Sequence, residues 1–162
     1  MALAYDITTQ EYIKVIFSLE REHRVARVTD IAKRRGVTKS SVSLVLNQLQ
    51  KKALIDRKQY GHITLTKSGR RLGSELHKRH QTIKVFLVRV LGVSEKIADR
   101  DACKIEHDLS QQTWTELRRF ITVMQNCPNH LIESLASFRR CSKFASGDLK
   151  CETCMEIRRQ ST

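Results

Sequence analysis

The sequence predicts a mainly α-helical fold carrying one small β wing, on three observations. The 162 residues include one Pro and six Gly, a scarcity of turn residues that favours helices joined by short loops. Apolar side chains recur at helical spacing through most of the first 126 positions. A single segment alternates instead, and it is interrupted at Tyr60-Gly61-His62 in the manner of a hairpin tip. Hydrophobic residues make up 40% of the chain, enough to build a core.

In chain order, Tyr12, Ile13, Val15, Ile16, Phe17 and Leu19 form a wide stripe. They predict a first helix over Thr9–Leu19, capped by Thr8 or Thr9, with Glu11 in its first turn. Arg24 to Arg27 reads as a short connection or strand. Thr29-Asp30 caps a short helix, Ile31–Arg35, which stops at Gly36. Thr38 starts the next helix, with Val42, Val45, Leu46 and Leu49 on one side and its end near Lys52. The hairpin returns through Ile63-Thr64-Leu65. Thr66 then caps a long helix reaching about Leu91, stopped by Gly92. Ser94 opens a helix to about Leu109, and Ser110 opens one to about Asn126, ended by Cys127-Pro128. On that last helix, the single Trp114 reads as core or interface. Leu131 to Phe138 offers a further short helix. The expected domains are residues 1–72, 73–126 and a cysteine-rich tail, 127–162.

Charge narrows the partners. Thirty Lys and Arg oppose 17 Asp and Glu, a net +13, which fits nucleic acid or an anionic membrane. Residues 1–80 hold 17 basic and 7 acidic side chains, against 13 and 10 in the remainder, so the excess sits in the first half. The longest apolar run, Val85–Val93, is interrupted by Arg89 and too short to span a bilayer. No helix pairs a cationic face with exposed Trp, Phe and Leu, so membrane binding is disfavoured. The N-terminus carries no basic stretch followed by an apolar one, so a cytoplasmic protein is expected.

Helix, helix ended by Gly, helix and hairpin is the order of a winged helix-turn-helix, in which the later helix enters the major groove of DNA. Its N-terminal face here is Thr38, Lys39, Ser40, Ser41 and Ser43, with Asn47 one turn on. Small hydroxyls and one cation suit close approach to base edges, thymine methyls and phosphates. Lys51 and Lys52 extend towards phosphates, and Arg57, Lys58 and His62 flank the wing tip for backbone or minor-groove contacts. The alternatives are a solvated lysine-rich surface, a general DNA binder or a protein-interaction module. No P-loop, G-x-S-x-G, H-E-x-x-H or dinucleotide fingerprint is present, so no enzyme is expected.

From Glu11 to about Leu117 the motifs resemble the metal-dependent repressors of the diphtheria-toxin-repressor and manganese-transport-regulator family. The matching stretches include Glu11-Tyr12-Ile13, Val28-Thr29-Asp30-Ile31-Ala32, Ser40-Ser41-Val42-Ser43 and Gly61-His62-Ile63-Thr64-Leu65-Thr66-Lys67-Ser68-Gly69. His80 followed by Phe86-Leu87, and Ala102-Cys103-Lys104-Ile105-Glu106-His107-Asp108-Leu109-Ser110, complete them. The resemblance implies a homodimer formed by the second half, with two winged domains meeting successive major grooves of a palindromic operator. Ser40 departs from the Pro of many members. The small third barrel of some relatives is not expected.

Cys103, Glu106 and His107 stand at i, i+3 and i+4, so one helical face offers a thiol, a carboxylate and an imidazole. That mixture suits Fe(II), Mn(II), Co(II) or Zn(II). The resemblance adds Glu11 and His80 as ligands, so that an ion would couple the first helix to the rest as a switch. It also marks departures. Lys14 stands where manganese regulators have a carboxylate, Lys84 where members usually have Glu, and Asp99 where iron-dependent members have His. These imply loss of at least one of the family's two metal sites. Alternatively, Cys103 is a small buried residue and Glu106-His107 pairs with a lysine.

Cys127, Cys141, Cys151 and Cys154 follow as C-P-x12-C-x9-C-x2-C, in a segment with few apolar side chains to bury thiols. Four thiolates suit a tetrahedral zinc or an iron–sulfur cluster. Only one close pair, and a Cys-Pro, favour a 4Fe–4S cluster over Zn2+, with reduced thiols as the remaining alternative. Arg139, Arg140, Lys143 and Lys150 would offset the charge. The expected function is therefore a DNA-binding regulator, acting as a repressor, that responds to iron, redox state or such a cluster. The other reading is a divalent-metal (Fe/Mn) repressor using Cys103, Glu106 and His107, with a structural zinc in the tail.

Overall fold

The computed structural model describes residues 5–22, 25–57 and 61–126. Its elements run α1 (Ile7–Arg21), α2 (Val28–Arg35), α3 (Lys39–Lys51), β1 (Ile55–Arg57), β2 (Ile63–Leu65), α4 (Lys67–Val85), a π-helical turn (Phe86–Val90), α5 (Glu95–Asp108) and α6 (Gln111–Asn126). All six expected helices and the hairpin are present, giving the mainly α fold with a two-stranded wing. The proposed helix at Leu131 to Phe138 lies outside the described residues.

The ends of the elements follow from local chemistry, and some differ from expectation. Asp6, not Thr8 or Thr9, caps α1: its Oδ1 accepts from the Thr9 backbone N–H at 2.8 Å and Oδ2 from the Thr9 hydroxyl at 2.8 Å. The earlier start moves Glu11 out of the first turn. α2 starts at Val28 behind Arg27, with no side-chain cap, so Thr29-Asp30 lies inside it. Gly36 ends it at φ 65°, a left-handed conformation open to Gly at little cost. Thr38 caps α3 as expected, accepting from Ser41 N at 3.2 Å. Thr66 accepts from Gly69 N at 3.1 Å, and Ser110 from Thr113 N at 3.1 Å. The long helix does not stay α-helical to Leu91: after Val85 it widens into the π turn, closed by Leu91 N donating to Phe86 O at 3.3 Å.

Two compact units are present. Among the described residues, the first holds those up to Gln81 together with Glu106–Asp108, the second Thr82–Ile105 and Leu109–Asn126. The boundary expected at residue 72 thus falls inside α4. The first unit closes on a core of Ile13, Ile16 and Leu19 from α1, Ile31 from α2, Val42, Leu46 and Leu49 from α3, Ile55 and Ile63 from the wing, and Leu72 and Leu76 from α4. Each fully buried aliphatic side chain contributes about 1.5–3 kcal/mol over its exposed state. β1 and β2 pair antiparallel, Ile55 opposite Leu65 and Arg57 opposite Ile63. Ala26 bridges to Ile63, so the connection after α1 has one strand-like contact. Gly69 is required by proximity, because a Cβ there would sit 1.9 Å from the Leu54 carbonyl oxygen. The second unit buries Ile83, Leu87, Ala98 and Ala102 in one cluster and Val90, Ile121 and Met124 in another. Trp114 is buried. Among the described residues no helix is long and apolar enough to cross a membrane.

Candidate DNA-binding face and metal centre

Burial of Val42, Leu46 and Leu49 fixes which side of α3 faces outward. Thr38, Lys39, Ser40, Ser41 and Asn47 are exposed, and Ser43 is half-buried. The Thr38 hydroxyl lies 2.9 Å from both the Ser40 and Ser41 hydroxyls, forming a small polar cluster at the helix start. Ser43 donates its hydroxyl to Lys39 O at 3.0 Å, leaving its oxygen as an acceptor on this face. Leu44, at 67% exposure, is the one large apolar side chain projecting from α3. The buried set Val42, Leu46 and Leu49 leaves it facing outward.

The wing is tied to this helix: Arg57 donates from Nη2 to Ser43 O at 3.2 Å. His62 is half-buried beside the tip, and Lys58 lies outside the described residues. Lys52 is not available to a phosphate as expected, because its ammonium binds Asp6 Oδ2 and the Thr9 hydroxyl, each at 2.8 Å. Lys51 is exposed.

A second polar centre lies in the same unit, where α1 meets the last turn of α5. Glu11, Glu106 and His107 each offer a ligand atom there, and these lie within 4.8 Å of one another. Cys103 stands one turn earlier on α5. His80, from α4, places Nδ1 3.3 Å from Glu106 Oε2. Glu106 is fully buried and that oxygen has no hydrogen-bond partner. Its other oxygen is ion-paired with Lys14, whose ammonium also lies 3.5 Å from Glu11 Oε1. Arg35 pairs with Glu11 Oε2 at 2.6 Å.

Gln10 organises the imidazole, and the sequence reading overlooked it. Its Nε2 donates to Tyr5 O at 2.6 Å, which turns Oε1 towards His107 Nδ1 at 3.0 Å. His107 Nε2 is then the ring nitrogen presented to Glu11 Oε1, 2.8 Å away. A ligating histidine is commonly oriented through its other nitrogen in this way. Burial pushes the Glu11 carboxyl up, but the Lys14 charge, the His107 hydrogen bond and the Arg35 and His107 charges outweigh it and hold the pKa below the ordinary value. Glu11 is therefore kept as a carboxylate, ready to hold a cation.

The residues fit a divalent ion: two carboxylates, an imidazole oriented from behind, and a buried carboxylate oxygen lacking a hydrogen bond. The expectation that Glu106 pairs with a lysine is also met, by Lys14. An ammonium and a divalent ion about 4 Å apart repel by about 8 kcal/mol at an effective dielectric of about 20, so the two cannot share Glu106 closely. In the second unit, Lys84 lies 3.3 Å from Asp99 Oδ1 and 3.8 Å from Glu95 Oε2. An ion pair thus stands where the resemblance expected ligands of a second metal. Cys127, Cys141, Cys151 and Cys154 lie outside the described residues.

Residues 7–63 match the iron dependent repressor N-terminal DNA binding domain, and residues 66–133 match the iron dependent repressor metal binding and dimerisation domain. The chain belongs to the iron dependent repressor family. It is 39% identical over 110 residues to the transcriptional regulator MntR of Escherichia coli O6:H1, covering 68% of this chain and 70% of that protein. It is 37% identical over 116 residues to the HTH-type transcriptional regulator MntR of Geobacillus kaustophilus, covering 72% and 79%. A manganese-dependent transcriptional repressor solved in complex with manganese aligns with a TM-score of 0.65 at 29% identity, over 70% of this chain and 52% of that one. IdeR of T. acidophilum aligns with a TM-score of 0.64 at 26% identity, over 72% and 55%. The chain thus spans about half the length of these solved repressors. The family consists of DNA-binding, dimerising transcriptional regulators rather than enzymes.

Proposed function

We propose that this iron dependent repressor family member is a cytoplasmic, homodimeric repressor whose operator binding responds to a divalent ion of the Fe(II) or Mn(II) type. The observation that carries the reading is the convergence of Glu11, Glu106 and His107 in the unit that also contains α3. Glu11, Glu106 and His107 would hold the ion, which supplies two positive charges to donors from α1 and α5. Gln10 orients His107, and Arg35 holds Glu11. The outward side chains of α3 read the major groove, with Lys39 on phosphate and half-buried Ser43 and exposed Asn47 at base edges. A second copy of the chain would cover Phe120 and Val123, exposed on α6 at 37% and 46%.

Selection of duplexes from a random pool, with Mn(II) or with chelator, tests this. A palindromic sequence enriched only with metal, and bound far more weakly by Glu106→Gln, is the expected result. Equal enrichment in chelator refutes metal control. The four tail cysteines are proposed, from their spacing alone, as a separate 4Fe–4S or zinc site. Air-free purification distinguishes these: broad absorbance near ~400 nm with iron marks a cluster, and a colourless protein with about one zinc per chain marks the structural ion.

A further inference from the structure

Lys14 projects from α1 one turn after Glu11, and its ammonium engages both carboxylates of the candidate centre, Glu106 in a direct ion pair and Glu11 at 3.5 Å. The same side chain lines a cleft of about 410 Å³ within the first unit, bordered also by Phe17, Arg21, Gly73, His77 and His80. Lys14 therefore borders open space as well as the two carboxylates. The acidic residue bordering that cleft, Glu22, is already paired with Arg34.

We propose that Lys14 is a built-in competitor for the metal. It neutralises Glu106 and Glu11 when no divalent ion is present, and it leaves for the cleft when one binds. This rests on the assignment of those carboxylates as ligands made above. A protonated amine has no lone pair with which to ligate, and an oxygen of Glu106 cannot serve the ammonium and a divalent ion at once. In the cleft the displaced ammonium exchanges a buried carboxylate for water, so the lost ion pair is subtracted from the binding free energy. Lys14 thus raises the metal concentration at which the protein responds, while keeping a buried acid compensated in the metal-free state.

The test is Co(II) titration by absorbance, with thermal melts, on the full metal-free chain and on Lys14→Met and Lys14→Gln. The amide variant keeps a hydrogen-bond donor for Glu106 should the apolar one fold poorly. Expected is Co(II) binding about tenfold tighter in the variants, a lower melting temperature without metal, and recovery of that loss when Co(II) is present. Equal Co(II) affinity in parent and variants overturns the competitor while leaving the ligand assignment standing. Absence of Co(II) binding in all three proteins overturns the ligand assignment and the competitor together.

Discussion

Replacing Glu106 by Gln tests the energetics of the buried pair. Two unit charges in contact at about 3 Å attract by about 5.5 kcal/mol at an effective dielectric of about 20. Desolvation offsets much of this, since Glu106 is fully buried, while Lys14 retains 19% exposure and some screening by water. The net coupling expected is therefore about 2–3 kcal/mol. Glu106→Gln and Lys14→Met should each destabilise the metal-free protein, and the double variant should lose less than the sum of the two. Urea denaturation of the four proteins in chelator, read by circular dichroism, measures the coupling as the departure from additivity. A coupling below about 0.5 kcal/mol, in the range of exposed surface pairs, would refute the reasoning.

Gln10→Leu removes the acceptor for His107 Nδ1 and should weaken Mn(II) or Co(II) binding about 10- to 100-fold; isothermal titration checks it. Lys39→Ala should weaken binding to all duplexes alike and flatten the salt dependence, whereas Asn47→Ala should relax sequence preference. Fluorescence anisotropy on operator and scrambled duplexes separates the two outcomes. The Lys52 ammonium, the Thr9 backbone N–H and the Thr9 hydroxyl hold the Asp6 carboxyl well below the usual carboxylate range. Its contribution is thus present above the unfolded pKa of about 3.9 and disappears as pH falls through the lower folded value. Asp6→Ala should cost about 1 kcal/mol at neutral pH, with the gap from the parent narrowing in melts below about pH 4. Gly69→Ala drives a Cβ against the Leu54 carbonyl and should cost about 1–3 kcal/mol in the same melts.

Periodicity made the helices legible because each buries a single stripe: Ile13, Ile16 and Leu19 on α1, and Val42, Leu46 and Leu49 on α3. Helix starts were legible where the capping side chain adjoins the apolar run, as at Thr38, and not at Asp6, which lies well ahead of it. The change to a π turn after Val85 left no mark, because Phe86, Leu87 and Val90 are as apolar as an α-helical continuation would be. At the candidate metal centre, Glu106 and His107 announced themselves by spacing on one helix. Gln10 and Arg35 did not, since their roles arise only when α1, α2 and the end of α5 meet. Lys52 misled for the same reason: in the sequence it is one more cation, while in three dimensions Asp6 and Thr9 claim it.

The hydrogen bond from Arg57 to the Ser43 carbonyl joins hairpin and reading helix into one piece. Such a tool has little slack. In the proposed mode of binding, with α3 in the groove and the hairpin on the backbone, the protein then dictates the stretch of duplex between the two, and inserting one base pair there should leave only one of the grips in place.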